Sequence, residues 1–188
     1  MVTDFRPLHR QALEVATGYV AGIEDDALVR PTPCAGWDLR DLLAHMIGQH
    51  HGFAAAVTDG DAPESAYAPR DVLPGAWQES VDVLLAAFAA ADLSRTVRLV
   101  EISTDRLLPA GVAISFQLLD TVIHTWDVAT ALGRSFVPDA ETAGTTLALA
   151  KLVPQGDNRL KPGAAFAPAL RPDTPDDWTQ ALALTGRS

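Results

Sequence analysis

An all-α fold, a four-helix bundle with one long crossover, is what this sequence predicts, and three observations carry the prediction. Apolar residues recur at helical spacing through five long segments. Clusters of Pro and Gly punctuate the chain between several of those segments. Strand-like alternation is confined to one short stretch near residues 96–108. At 188 residues with 48% hydrophobic content, the chain reads as a single domain. Its core bundle covers about residues 5–153, and a Pro/Gly-rich extension covers about 154–188.

The first helix is expected over Phe5–Ile23, with Leu8, Leu13, Val15, Val20 and Ile23 available to the core. Pro31-Thr32-Pro33-Cys34-Ala35-Gly36-Trp37 cannot be helical, because two prolines and a glycine break it. Asp38 then serves as the N-cap of a second helix, with Asp41 in its first turn, and that helix stops near Asp59-Gly60. Residues 60–75 hold Pro63, Pro69, Pro74 and Gly75 and read as a loop. A third helix covers about Ala76–Ala91. Thr96–Val100 and Asp105–Leu108, separated by a short polar break, read as a small hairpin or irregular crossover. The fourth helix runs from about Val112 to Leu132 and ends at Gly133. A fifth follows Pro138 with Asp139 as cap and ends near Val153, and a short additional helical segment lies at about Asp176–Leu184.

Composition excludes several function classes. The net charge is −10 and no basic cluster is present, so a nucleic-acid backbone is not a partner. Apolar runs are interrupted well short of a bilayer span, and the N-terminus lacks a basic, apolar leader, so a cytoplasmic protein that does not engage a membrane is expected. Cys34 is the only cysteine, which excludes an internal disulfide and a cysteine-rich structural zinc site.

Polar residues on the fourth helix form a narrow stripe: Gln117, Asp120, His124 and Asp127. Asp120 and His124 stand one turn apart on the same face, as two ligands of one metal ion do. A solvent face has the same spacing, and the residues alone leave both readings open. Asp127 and Gln117 read as capping or supporting groups. Three of the five histidines lie on the second helix. His50 falls inside its apolar stripe and reads as a buried histidine with one hydrogen-bond partner. His45 lies at the stripe's edge beside Gly48, Gln49 and Gly52, where small residues leave room for a ligand or a close helix crossing. His51 points toward solvent, and His9 on the first helix has no assigned role. Cys34 reads as a structural cysteine in a tight turn, with a reactive thiol near a helix N-terminus as the alternative.

Two stretches, Thr32-Pro33-Cys34-Ala35-Gly36-Trp37-Asp38-Leu39-Arg40-Asp41-Leu42-Leu43-Ala44-His45 and Asp120-Thr121-Val122-Ile123-His124-Thr125-Trp126-Asp127-Val128-Ala129-Thr130-Ala131-Leu132-Gly133, resemble the signatures of the mycothiol-dependent maleylpyruvate isomerase N-terminal domain family. The closing Leu182-Ala183-Leu184-Thr185-Gly186-Arg187 resembles the end of its short members. The resemblance implies a DinB-like (DinB/YfiT) metal-binding four-helix bundle. It implies a divalent metal, zinc first with nickel or iron as alternatives, held by His45, Asp120 and His124. The isomerase pattern has glutamate where this chain has Asp120. The full isomerase also carries a further C-terminal domain, for which 188 residues leave no room, so a related activity rather than that isomerisation is expected.

The function implied is a metal-dependent transferase or isomerase-like enzyme using mycothiol or another small thiol, with an electrophile as second partner. Gln49 and Gln117 would line the substrate pocket, and no general acid or base is assignable. The alternatives are a non-catalytic metal- or small-molecule-binding bundle and a dimerising scaffold with a decayed site; a homodimer fits any of these. The Ala-, Gly- and Arg-rich composition suggests a GC-rich bacterial source.

Overall fold

The computed structural model describes residues 3–100, 105–160, 166–172 and 175–188. It divides into two compact units, Met1–Arg134 and Ser135–Ser188. The first unit contains helices α1 (Arg6–Val20), α2 (Leu39–Asp59), α3 (Ala76–Ala90) and α4 (Ala110–Ala131), with strands β1 (Thr96–Arg98) and β2 (Leu107–Pro109) between α3 and α4. α2 packs on α3 and α4, and α1 on α4 and α3, which closes a four-helix bundle.

The sequence places the ends of α2 for physical reasons. The Asp38 carboxylate accepts from the Asp41 N–H at 2.9 Å, and Asp41 accepts from the Asp38 N–H at 3.2 Å. This reciprocal capping box satisfies two donors that the helix start would otherwise leave open. At the other end Gly60 takes φ 89°, a left-handed conformation that a Cβ disfavours. The hairpin is antiparallel, with Thr96 opposite Pro109, Val97 opposite Leu108 and Arg98 opposite Leu107. Val97 is buried, and the Arg98 N–H donates to the Gly60 carbonyl at 2.9 Å, so the crossover is tied to the end of α2. Residues 101–104 of the polar break lie outside the described residues, as do 161–165 and 173–174 of the extension.

Two apolar clusters fill the bundle. One gathers Leu13, Phe53, Val57, Leu84, Phe88 and Ile114; the other gathers Leu28, Leu39, Leu42, Leu43, Met46 and Val128. The buried face of α1 is not the expected one. His9, Ala12, Leu13 and Ala16 are buried, Leu8 is only partly so, and Val15 is 41% exposed. Small alanines let α1 approach closely, and His9 takes an inward position because α4 supplies it with a polar partner.

Gly48 and Gly52 do permit a close approach, but by a 3₁₀ turn at Glu64–Tyr67 rather than by a helix crossing. A Cβ on Gly48 would overlap the Ala68 carbonyl and stand 2.7 Å from the Tyr67 carbonyl oxygen. Gly48→Ala is therefore expected to destabilise the protein by about 1–2 kcal/mol, since overpacking against backbone outweighs the helix-propensity gain of alanine. Urea unfolding measures this; a variant as stable as wild type would show that the turn is free to retreat.

In the second unit, α5 (Ala140–Ala150) and α6 (Asp177–Leu184) pack on each other. Asp139 and Asp176 cap them by accepting from Thr142 and Thr179 N–H groups. Phe136 meets Trp178 edge-on at 5.6 Å, and the Arg159 guanidinium donates to the carbonyls of Pro154, Ala167 and Leu184. Among the described residues no helix is long and apolar enough to cross a membrane.

Candidate metal centre

α4 turns its polar stripe inward. Gln117 and Asp127 are fully buried, His124 is 3% exposed, and the Asp120 side chain is 20% exposed. The solvent-face reading of the stripe therefore fails. α2 brings His45 to the same place, where the Trp37 ring packs against it at 4.9 Å. The His45 and His124 rings meet edge-on, with centroids 5.3 Å apart. His45, Asp120 and His124 each offer one ligand atom, and these atoms lie within 4.8 Å of one another.

His124 sits between two carboxylates. Its Nδ1 is 2.9 Å from Asp127 Oδ2, and its Nε2 is 3.3 Å from Asp120 Oδ1. Burial alone would lower the basicity of this ring. Asp120, Asp127 and the nearby Cys34 outweigh it and hold His124 well above the ordinary histidine range. Burial likewise works to raise Asp120, but the charge and hydrogen bond of His124 leave its carboxyl below the usual value. His45 behaves oppositely. Burial pushes it down to about 4, which leaves a neutral imidazole with a lone pair.

The remaining expected site residues fall in two places. Gln49 joins His45 along an open cleft of about 440 Å³, which is also lined by Glu64, Ser65, Tyr67, Ala68 and Pro69. Gln117 faces the bundle interior, where its Oε1 accepts from His9 Nε2 at 2.6 Å and from Thr121 Oγ1 at 2.7 Å. His50 is fully buried with its Nδ1 2.9 Å from Ser80 Oγ, and His51 is only partly exposed.

Two neighbours lie outside the site residues that the sequence points to. The Cys34 thiol donates to Asp127 Oδ2 at 3.3 Å and lies 4.0 Å from His124 Nδ1. His9 is fully buried on α1. For Cys34 the available signal was its position in the turn just before the α2 N-cap, which folds back over the last turns of α4. For His9 no local signal existed, because its partner is 108 positions away.

Residues 9–129 match the mycothiol maleylpyruvate isomerase N-terminal domain family. The chain belongs to this family. The match spans the bundle from α1 through α4 and includes both helices that carry the candidate ligands, α2 and α4. Two Mycobacterium tuberculosis proteins, one from strain CDC 1551 / Oshkosh and one from strain H37Rv, are each 31% identical over 183 residues, covering 96% of this chain and 96% of their own. Both are described as uncharacterized. No solved structure matches the chain.

The residues present fit the divalent metal that the family implies. Asp120 Oδ2 is buried with no hydrogen-bond partner, although its twin oxygen faces His124. Two imidazoles and one carboxylate are a donor set that zinc accepts, with one coordination position left open. Asp127 on Nδ1 fixes the His124 ring so that Nε2 faces His45 and Asp120, the role a carboxylate plays behind a ligating histidine.

Proposed function

We propose that this protein binds a divalent metal, zinc before nickel or iron, at His45, Asp120 and His124, and uses it in thiol-dependent transfer or isomerisation. The observation that carries the reading is His124, pinned by Asp127 on one nitrogen while the other converges with His45 and a buried, unpartnered Asp120 oxygen. When bound, the cation lowers the pKa of a coordinated thiol and so makes it a nucleophile at neutral pH.

The chain's own residues do the rest. His45 presents a neutral nitrogen from α2, His124 on the facing α4 would give up the Nε2 proton it holds toward Asp120, and Asp120 would supply the one negative charge of the donor set. Asp127 keeps the His124 ring from rotating. The cleft beside His45 admits a small molecule, with exposed Glu64 and Ser65 and buried Gln49 among the polar side chains that line it. The family name supplies the candidate thiol, mycothiol, and an electrophile would enter by the same cleft.

Elemental analysis of wild type beside Asp120→Ala, followed by titration of the metal-loaded protein with mycothiol, tests the reading. About one zinc per chain is expected in wild type, with a loss of at least tenfold in affinity in the variant. Equal contents near zero would end the metal assignment. Bound metal with no thiol uptake would leave a metal-binding bundle without this chemistry.

A further inference from the structure

His124 has two coordinating edges, and the residues on its second edge form a donor set of their own. Around Nδ1 stand Asp127 Oδ2 at 2.9 Å and Cys34 Sγ at 4.0 Å, and the sulfur is 3.3 Å from that same carboxylate oxygen. Neighbouring ligand atoms on a four-coordinate zinc-sized ion stand about 3.3–3.6 Å apart, given bond lengths of about 2.0–2.3 Å. The three separations here bracket that range, so closing around an ion needs shifts of well under an ångström.

The donors on the two edges differ in kind. Nε2 shares its side with an imidazole and a carboxylate, whereas Nδ1 shares its side with a thiol. Soft, thiophilic cations prefer sulfur ligands, and harder ones are content with nitrogen and oxygen. Cys34 is partly exposed, whereas Asp127 and His124 are buried.

We propose a second metal position at Cys34, Asp127 and His124 Nδ1, selective for thiophilic cations and exclusive with the first. Binding there releases the thiol proton and the Nδ1 proton to solvent, while a proton on Nε2 lets the ring donate to Asp120 Oδ1, 3.3 Å away. The two carboxylates thus exchange roles. Asp127 supports the ring when the ion lies on the Nε2 side, and Asp120 supports it when the ion lies on the Nδ1 side. One imidazole cannot present a lone pair on both edges unless it loses both protons, so one chain holds one ion at a time.

Cadmium titration of reduced, metal-free protein in the absence of added thiol is the test. Because Cys34 is the only cysteine, any thiolate-to-cadmium charge-transfer absorption reports this residue alone. Wild type is expected to develop the band, saturating at about one cadmium per chain for a closed three-ligand site. Cys34→Ser is expected to lose it, and His45→Ala to keep it at full intensity. Cadmium binding without the band overturns the proposal. A band lost in His45→Ala also overturns it, by making Cys34 a fourth ligand of the first set, and so does saturation at one cadmium per two chains, which marks bridging between copies. None of these outcomes depends on mycothiol chemistry, so the proposal stands or falls apart from the thiol reading.

Discussion

The His124→Ala protein is expected to lose zinc binding, and zinc-dependent heat stability with it. His124 is the one side chain common to both donor sets, and it is 3% exposed at the meeting of α2 and α4. Removing a supporting residue behind a ligand typically lowers metal affinity by about 10–100-fold, and removing the ligand itself exceeds that. Zinc at about 100 times its dissociation constant stabilises the folded state by about 2.7 kcal/mol. For a chain of this length that raises the melting temperature by about 5–10 °C. Wild type should show such a rise on adding zinc, and His124→Ala should show none at the same concentration. His51→Ala is the control, because His51 is absent from both ligand groups, and its zinc response should equal wild type's. A His124→Ala protein that still gained heat stability from zinc would place the ion elsewhere.

How much of this was legible in the sequence depends on the range of the interaction. The start of α2 was readable because Asp38 and Asp41 interact across a single turn. The end of α4 was readable because Gly133 follows the last helical turn directly with φ 67°. Asp120 and His124 were readable as a pair for the same reason, but their inward orientation was not. That depends on α1 and α2 covering the stripe, which no local pattern encodes. The pairing with His45 came from family resemblance, since 75 positions separate it from Asp120 and periodicity places it only at the edge of an apolar face.

The failures share one cause. Hydrophobicity points Val15 and Leu8 to the core, yet beside Leu13 it is His9 and two alanines that α1 buries. A histidine is an acceptable core residue once the Gln117 oxygen accepts a hydrogen bond from its ring N–H, and that buried oxygen is in turn satisfied by His9 and Thr121. Each polar group is legible only when the other is already in place. Cys34 belongs to the same class: its thiol has meaning only beside Asp127, which lies 93 positions away.

Those buried histidines make the fold sensitive to acid. Ser80 Oγ donates its own proton to the Trp77 carbonyl, so His50 must donate to Ser80 through Nδ1, which leaves Nε2 bare, buried and unpartnered. His9 donates through Nε2 to the Gln117 oxygen, which leaves its Nδ1 in the same condition. A second proton on either ring would carry charge into the core with no acceptor. Burial accordingly pushes His50 down to about 3 and His9 down to about 4. Above pH 6.5 both rings are neutral whether the chain is folded or not, and they leave stability unchanged. Below it the unfolded chain binds protons that the folded chain refuses, so stability falls by about 1.4 kcal/mol per pH unit for each histidine until the folded values are reached. By pH 4.5 the pair removes about 5 kcal/mol, comparable with the whole stability of a small domain. In the metal-free protein His45 acts in the same direction, whereas His124, raised in the fold, contributes a stability already complete below pH 6.5. Urea unfolding of metal-free wild type and His50→Gln at pH 6.5, 5.5 and 4.5 isolates one histidine. The variant's stability should fall less steeply, by about 1.4 kcal/mol per pH unit, whatever its offset at neutral pH. Parallel slopes would mean that His50 takes up its proton inside the folded bundle, and that a partner for Nε2 forms when it does.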